Sequence, residues 1–158
     1  MSEKERAELA ERVRAHLQAA DEETVRIITA LIGLLACTAY ADREYTRGER
    51  DQLRSVLCRI NGLSSAGVDA IAALLHQKIA GLTLTAFQGY LRDLRELTDP
   101  ETRLQTLEAL LELAAADGAV STAETNLLRR TASGLGLSSD DYNAVQARYR
   151  DKLSVLKG

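Results

Sequence analysis

Ala41-Asp42-Arg43-Glu44-Tyr45-Thr46-Arg47-Gly48-Glu49 returns 75 positions later as Ala116-Asp117-Gly118-Ala119-Val120-Ser121-Thr122-Ala123-Glu124. Each copy sets an Asp just past an apolar run, then a hydrophobe, a hydroxyl residue and a Glu seven positions after the Asp. The echo continues downstream, where Gly62-Leu63-Ser64-Ser65 answers to Gly136-Leu137-Ser138-Ser139, and Ile71 to Val145, at an offset of 74. A duplicated three-helix unit is the economical reading, with one residue gained or lost between the matched blocks. It brings two acidic loops into one small protein.

Working outward, the pattern predicts helices throughout. One Pro and ten Gly in 158 residues, with few β-branched or aromatic side chains, favour helix over sheet. Eight segments are expected. The first runs from about Glu3 to Ala19 with Leu9, Val13 and Leu17 on one stripe, an accessory helix packing across the repeats. The second, about Glu22 to Ala41, is apolar nearly all round and therefore central. The third starts at Thr46 and stops at Asn61-Gly62, and the fourth runs from Ser65 to about Ala80. A connector spans about Leu84 to Leu97 through Phe87, Leu91 and Leu94. Thr98-Asp99-Pro100-Glu101 is a start signal for the sixth, Pro100 to Ala116, with Thr98 as cap, an early Pro and a Glu three residues after the Thr. The seventh runs from Ser121 to Ser133 and the eighth from Ser138 to about Leu156. The expected architecture is one compact all-α domain, with repeat one over about 22–80 and repeat two over about 99–156.

Several function classes recede on composition. A net charge of -3 argues against nucleic acid, whose binders rest on a basic surface. The apolar stretch Ile27–Ala41 is too short to span a bilayer. The charged start, Ser2-Glu3-Lys4-Glu5-Arg6, shows no signal peptide, so the cytoplasm is expected. Cys37 and Cys58 sit inside helical patterns and read as reduced core thiols. His16 and His76 lack ligand-spaced neighbours, and there is no phosphate loop or nucleophile elbow.

The loops themselves admit two readings. Thr46-x-x-Glu49 and Ser121-x-x-Glu124 are capping boxes, in which the hydroxyl accepts from the third backbone N–H and the Glu reaches back to the cap's own N–H. Asp42 and Asp117 are not explained by capping, since a negative charge at a helix C-terminus opposes the dipole. Gly118 suits a tight turn, whereas Arg43 in the first copy lacks that freedom. The second loop matches only the latter half of an EF-hand, with Leu113 and Ala115 where two ligands belong. If the repeats are related by a pseudo-two-fold, Asp42, Glu49, Asp117 and Glu124 converge into a four-carboxylate patch. Glu44 and Glu112 are further acidic candidates, and the cation would be Ca, Mg, Mn or Zn. Against this stands the reading in which the loops are purely structural. Arg47, Arg50 and Arg54, with Arg129 and Arg130, form a stripe that could meet a partner or simply be solvated.

At Leu110-Leu111-Glu112-Leu113-Ala114-Ala115-Ala116-Asp117-Gly118-Ala119-Val120-Ser121-x-x-Glu124 the chain resembles the TerB family of tellurite-resistance-associated helical proteins. Leu127-Leu128-Arg129-Arg130 and Leu135-Gly136-Leu137-Ser138 support the likeness, as does the weaker first copy, over roughly residues 25 to 150. The resemblance implies a pseudo-two-fold helical domain with a metal or ligand site at Asp42, Glu49, Asp117 and Glu124. It implies a non-enzymatic accessory role in bacterial stress or chemical resistance, beside another protein of a stress-response complex. The alternative is a protein–protein scaffold without an ion site, and self-association into a homodimer is left open. Arg43 departs from the family's Asp-Gly pattern. No His-Pro-Asp motif is present, which excludes a J-domain.

Overall fold

The computed structural model describes residues 2–18, 21–41, 43–60, 62–81, 84–115 and 121–147. Within them run α1 (Ser2–His16), α2 (Glu22–Ala39), α3 (Arg47–Cys58), α4 (Ser65–Lys78), a 3-10 turn (Ile79–Gly81), α5 (Leu84–Leu97), α6 (Pro100–Ala114), α7 (Thr122–Gly134) and α8 (Ser139–Ala147). No strand occurs among the described residues, so the fold is all-α. The expected continuation of α8 toward Leu156 lies outside the described residues.

Starts repeat from one triplet of helices to the next. Asp21 caps α2 by accepting from Thr24 N–H, and Asp99 caps α6 by accepting from Thr102 N–H, each at 2.8 Å. Thr46 and Ser121 cap α3 and α7 in full capping boxes. Ser64 accepts from Gly67 N–H ahead of α4, and Ser138 from Asp141 N–H ahead of α8. Gly62 and Gly136 hold φ of 86° and 77° between those helices, a conformation that only Gly takes without strain. The cap of α6 is Asp99 rather than Thr98, whose hydroxyl instead donates back to Leu94 O within the end of α5.

The core gathers around α2, which touches α1, α3, α5, α6 and α7. Its Ile32, Leu34, Leu35 and Ala36 are fully buried, as the absence of a polar face requires. In the second triplet α6 buries Leu107, Leu110, Leu111 and Leu113 against α2, α3, α7 and α8. Burying each such leucine is worth about 1.5–3 kcal/mol. α5 lies along α2 and reaches α7, and buries Phe87, Tyr90, Leu91 and Leu94. The N-terminal helix does not straddle the two triplets as expected. Its main contacts are α4, α2 and α5, and Gln18 N–H ties its end to Gly62 O at 3.0 Å.

Cys58 corrects the expectation of a core thiol: it is exposed. The buried stripe of α3 is Leu53, Val56 and Leu57, and one more step of about 100° carries position 58 off it. Cys37 is partly buried, and burial pushes its thiol up to about 12. No described helix is long and apolar enough to cross a membrane.

Candidate functional site

The two capping boxes are built alike. Thr46 Oγ1 accepts from Glu49 N–H at 3.1 Å while Glu49 Oε1 accepts from Thr46 N–H at 3.1 Å. In the second copy Ser121 Oγ accepts from Glu124 N–H at 3.1 Å and Glu124 Oε1 from Ser121 N–H at 3.1 Å. Both glutamates are buried, at 5% and 4% exposure. Each carboxylate sits in the first turn of its helix, where the dipole favours it. Glu49 and Glu124 are therefore helix-starting residues, whatever else they do.

Asp42 and Asp117 lie outside the described residues, as do Gly118 and Val120. Their convergence with Glu49 and Glu124 is consequently not part of the geometry. Arg43 is described, and it takes the left-handed conformation at φ 68°. For a non-Gly residue this costs about 1–2 kcal/mol. The first loop thus makes a left-handed turn although the sequence offers no Gly there, and Arg43 N–H closes it on Tyr40 O at 3.0 Å. Tyr45, beside the same loop, packs half-buried against the core, and burial pushes its phenol up to about 12.

Glu44 is exposed. Glu112, the other further acidic candidate, joins two helices. Its carboxylate accepts from Arg59 at 3.1 Å and Gln52 at 3.4 Å, pinning α6 to α3 across more than fifty residues of chain. Among the described residues no group of three or more His, Cys, Asp or Glu side chains could hold a metal ion.

The arginines separate into spent and available. Arg54 is paired with Asp69 of α4, and Arg129 stacks over the Tyr142 ring at 5.3 Å. Arg47 is exposed and Arg50 half-buried beside Tyr45. Arg130 stands at the rim of a cleft of about 360 Å³. That cleft is bordered by Ala41 and Arg43 of the first loop and by Ala123 and Asn126 from the opening of α7. Cys37, Tyr40, Phe87 and Leu127 form its apolar part. A second depression of about 530 Å³ adjoins it, with Phe87 and Arg130 common to both and Arg92, Arg95 and Gly134 added.

Sequence reasoning missed Arg43, Arg92 and Arg95 as site residues. The i,i+3 spacing of Arg92 and Arg95 places them together on α5, but nothing in the sequence says that α5 lies beside α7.

Comparison with curated proteins and with solved structures finds no match. A family model described as tellurite resistance protein TerB matches residues 28–147, from within α2 to the end of α8, so this chain belongs to the TerB family.

Proposed function

We propose that this chain is a non-enzymatic binding module in bacterial chemical-stress resistance, with the cleft between the first loop and α7 as its working face. One observation carries the reading. The first loop and the start of α7, the helix that the second loop feeds, border the same recess, which is apolar inside and of ligand-binding size. The family's description supports the setting in tellurite or chemical resistance. The one thiol in the cleft, Cys37, stays protonated at neutral pH, and a thiol is a poor nucleophile in that form. The partner is accordingly another protein of a stress-response complex in the cytoplasm.

The test is a photo-reactive side chain at Asn126, exposed at the cleft, against one at Gln77, exposed on α4. Adducts formed in the cell under tellurite stress at Asn126 alone, and lost on Leu127→Glu, are the expected result. Equal labelling at both positions, unaffected by Leu127→Glu, removes the cleft as the working face.

A divalent cation at Asp42, Glu49, Asp117 and Glu124 is the second reading, favoured by the burial of two carboxylates at equivalent positions. Buried carboxylates draw donors or cations to themselves. A melt of the metal-stripped protein titrated with Ca²⁺, Mg²⁺, Mn²⁺ and Zn²⁺ tests it. Binding to the native state adds about 1.4 kcal/mol for each tenfold excess over Kd. The shift must vanish in Asp42→Asn/Asp117→Asn. No shift up to millimolar ion leaves the loops as helix caps.

A further inference from the structure

The two depressions share Phe87 and Arg130, so they form one groove between α5 and α7, reaching from the end of α2 toward the end of α7. At the far end α5 and α7 close together: a Cβ on Gly134 would lie 2.6 Å from Leu91 Cδ1. The floor is apolar, with Tyr40, Phe87 and Leu127. Around it stand four guanidinium groups, of Arg43, Arg92, Arg95 and Arg130, and no Asp or Glu among the described residues lines it. Arg95 reaches only the carbonyl of Gly134, at 3.4 Å. No described carboxylate forms an ion pair with Arg43, Arg92 or Arg130.

This concentration of positive charge is out of keeping with a chain of net charge -3. Elsewhere arginines with and without acidic partners are interspersed: Arg14 pairs with Glu22, Arg26 with Asp93, Arg54 with Asp69 and Arg59 with Glu112, whereas Arg12 and Arg103 reach backbone carbonyls and Arg129 the Tyr142 ring. Like charges around a recess repel one another and focus a positive potential into it. An anionic occupant relieves that repulsion, and guanidinium groups suit carboxylates because they bind them in two-pronged fashion.

We infer that the groove takes an acidic amphipathic segment of a partner protein, its apolar side chains on Phe87 and Leu127 and its carboxylates on Arg43, Arg92, Arg95 and Arg130. This rests on the binding-module reading and names the partner's chemistry. The recessed apolar floor fits side chains inserted from a helix or extended segment, the helix-in-groove mode, better than the flat face of a membrane. Residues 148–158 do not fit, since Arg148, Arg150, Lys152 and Lys157 against Asp151 make them cationic.

The experiment uses the full chain and three fluorescein-labelled peptides sharing one helical leucine stripe, with Glu, Gln or Lys at every other position. Vesicles containing phosphatidylserine serve as a fourth probe. Fluorescence anisotropy should show the Glu peptide binding, more weakly as salt rises. Arg92→Glu/Arg130→Glu should weaken it by about tenfold or more. Both arginines are exposed, so the variant should melt like the parent, and Arg92→Gln/Arg130→Gln should give an intermediate loss. Equal binding of the Glu peptide to parent and variant overturns the proposal. Tighter binding of the Gln or Lys peptide, lost on Leu127→Glu, overturns the acidic partner but keeps the cleft as a binding face. Capture by vesicles in place of peptide assigns the arginines to a membrane surface instead. Failure of every peptide up to millimolar concentration removes the acidic partner, while the labelling at Asn126 decides the cleft separately.

Discussion

The Tyr90 ring occupies the space where a side chain at Gly33 would begin. A Cβ built on Gly33 would lie 2.5 Å from both Tyr90 Cδ2 and Cζ. This notch lets α5 press its aromatic face onto the backbone of α2, which sets the height of Phe87, one helical turn before Tyr90, in the cleft. Ala is the better helix former by about 1 kcal/mol, so propensity alone would favour Gly33→Ala. Overpacking works the other way and costs about 1–3 kcal/mol or more where neither partner can move. With Tyr90 fully buried, packing should win. Gly33→Ala should be net destabilising in urea unfolding, and Gly33→Ala/Tyr90→Leu should recover part of the loss. A stabilised single variant would mean that the ring swings away at little cost.

The capping boxes predict a graded response. Ser121→Ala and Thr46→Ala each remove an acceptor for a first-turn N–H and should each cost about 1 kcal/mol. Glu124→Gln and Glu49→Gln keep an oxygen that can accept from the cap's N–H and should cost less. That order separates capping from cation binding. If the glutamates only start helices, the Gln variants should show the same small deficit from the parent at every cation concentration.

Local chemistry was the legible part of this chain. Thr46 with Glu49, Ser121 with Glu124 and Gly62 with Gly136 act within a few residues, so their spacing alone announces them. Thr98 misled because two cap residues stand side by side there, and Pro100 is compatible with Asp99 as the cap. The ion pair of Glu112 was not legible because its partner Arg59 is a neighbour only once α3 lies on α6. The groove was invisible for the same reason. Arg92 and Arg95 look like any solvated helix face until α7 is placed beside α5. Arg43 shows the reverse failure, a turn kept in spite of its residue rather than because of it.

Thr29 should behave unlike the other buried helical threonines. Thr38, Thr106 and Thr131 each donate to the carbonyl four residues earlier, at 2.8–2.9 Å. Thr29 is equally buried, yet its hydroxyl has no hydrogen-bond partner. A buried polar group left unsatisfied costs about 1–3 kcal/mol. Thr29→Val, of nearly the same shape, should therefore raise stability by about 1 kcal/mol, whereas Thr131→Val should leave it unchanged or lower it. Chemical denaturation of the two variants side by side gives the comparison, and a destabilised Thr29→Val would show that the hydroxyl is satisfied in solution.

The two Asp caps carry a pH dependence with a definite sign. Hydrogen bonds from Thr24 N–H hold the Asp21 carboxyl below its ordinary 3.8, and those from Thr102, hydroxyl first and then backbone, do the same for Asp99. Folded values below unfolded ones mean that stability is present above about pH 4 and is lost as pH falls through the folded values. Asn caps as well as Asp but does not titrate. Asp21→Asn/Asp99→Asn should thus match the parent near neutral pH and lose less stability on acidification. An unchanged acid limb would place the acid sensitivity of the fold in other carboxylates.

The two thiols should part company under alkylation. Cys58 is exposed on α3, while Cys37 lies partly buried at the cleft with its thiol pushed up to about 12. Iodoacetamide attacks the thiolate, so reactivity follows both exposure and the ionised fraction. In the native protein at mildly alkaline pH, intact mass should show one rapid addition, at Cys58, and a Cys58→Ser variant should be almost inert. Unfolding in urea should restore a second addition by freeing Cys37. If Cys37 reacts as fast as Cys58 in the folded protein, the end of α2 opens readily. The cleft would then be shaped by its occupant rather than formed before it.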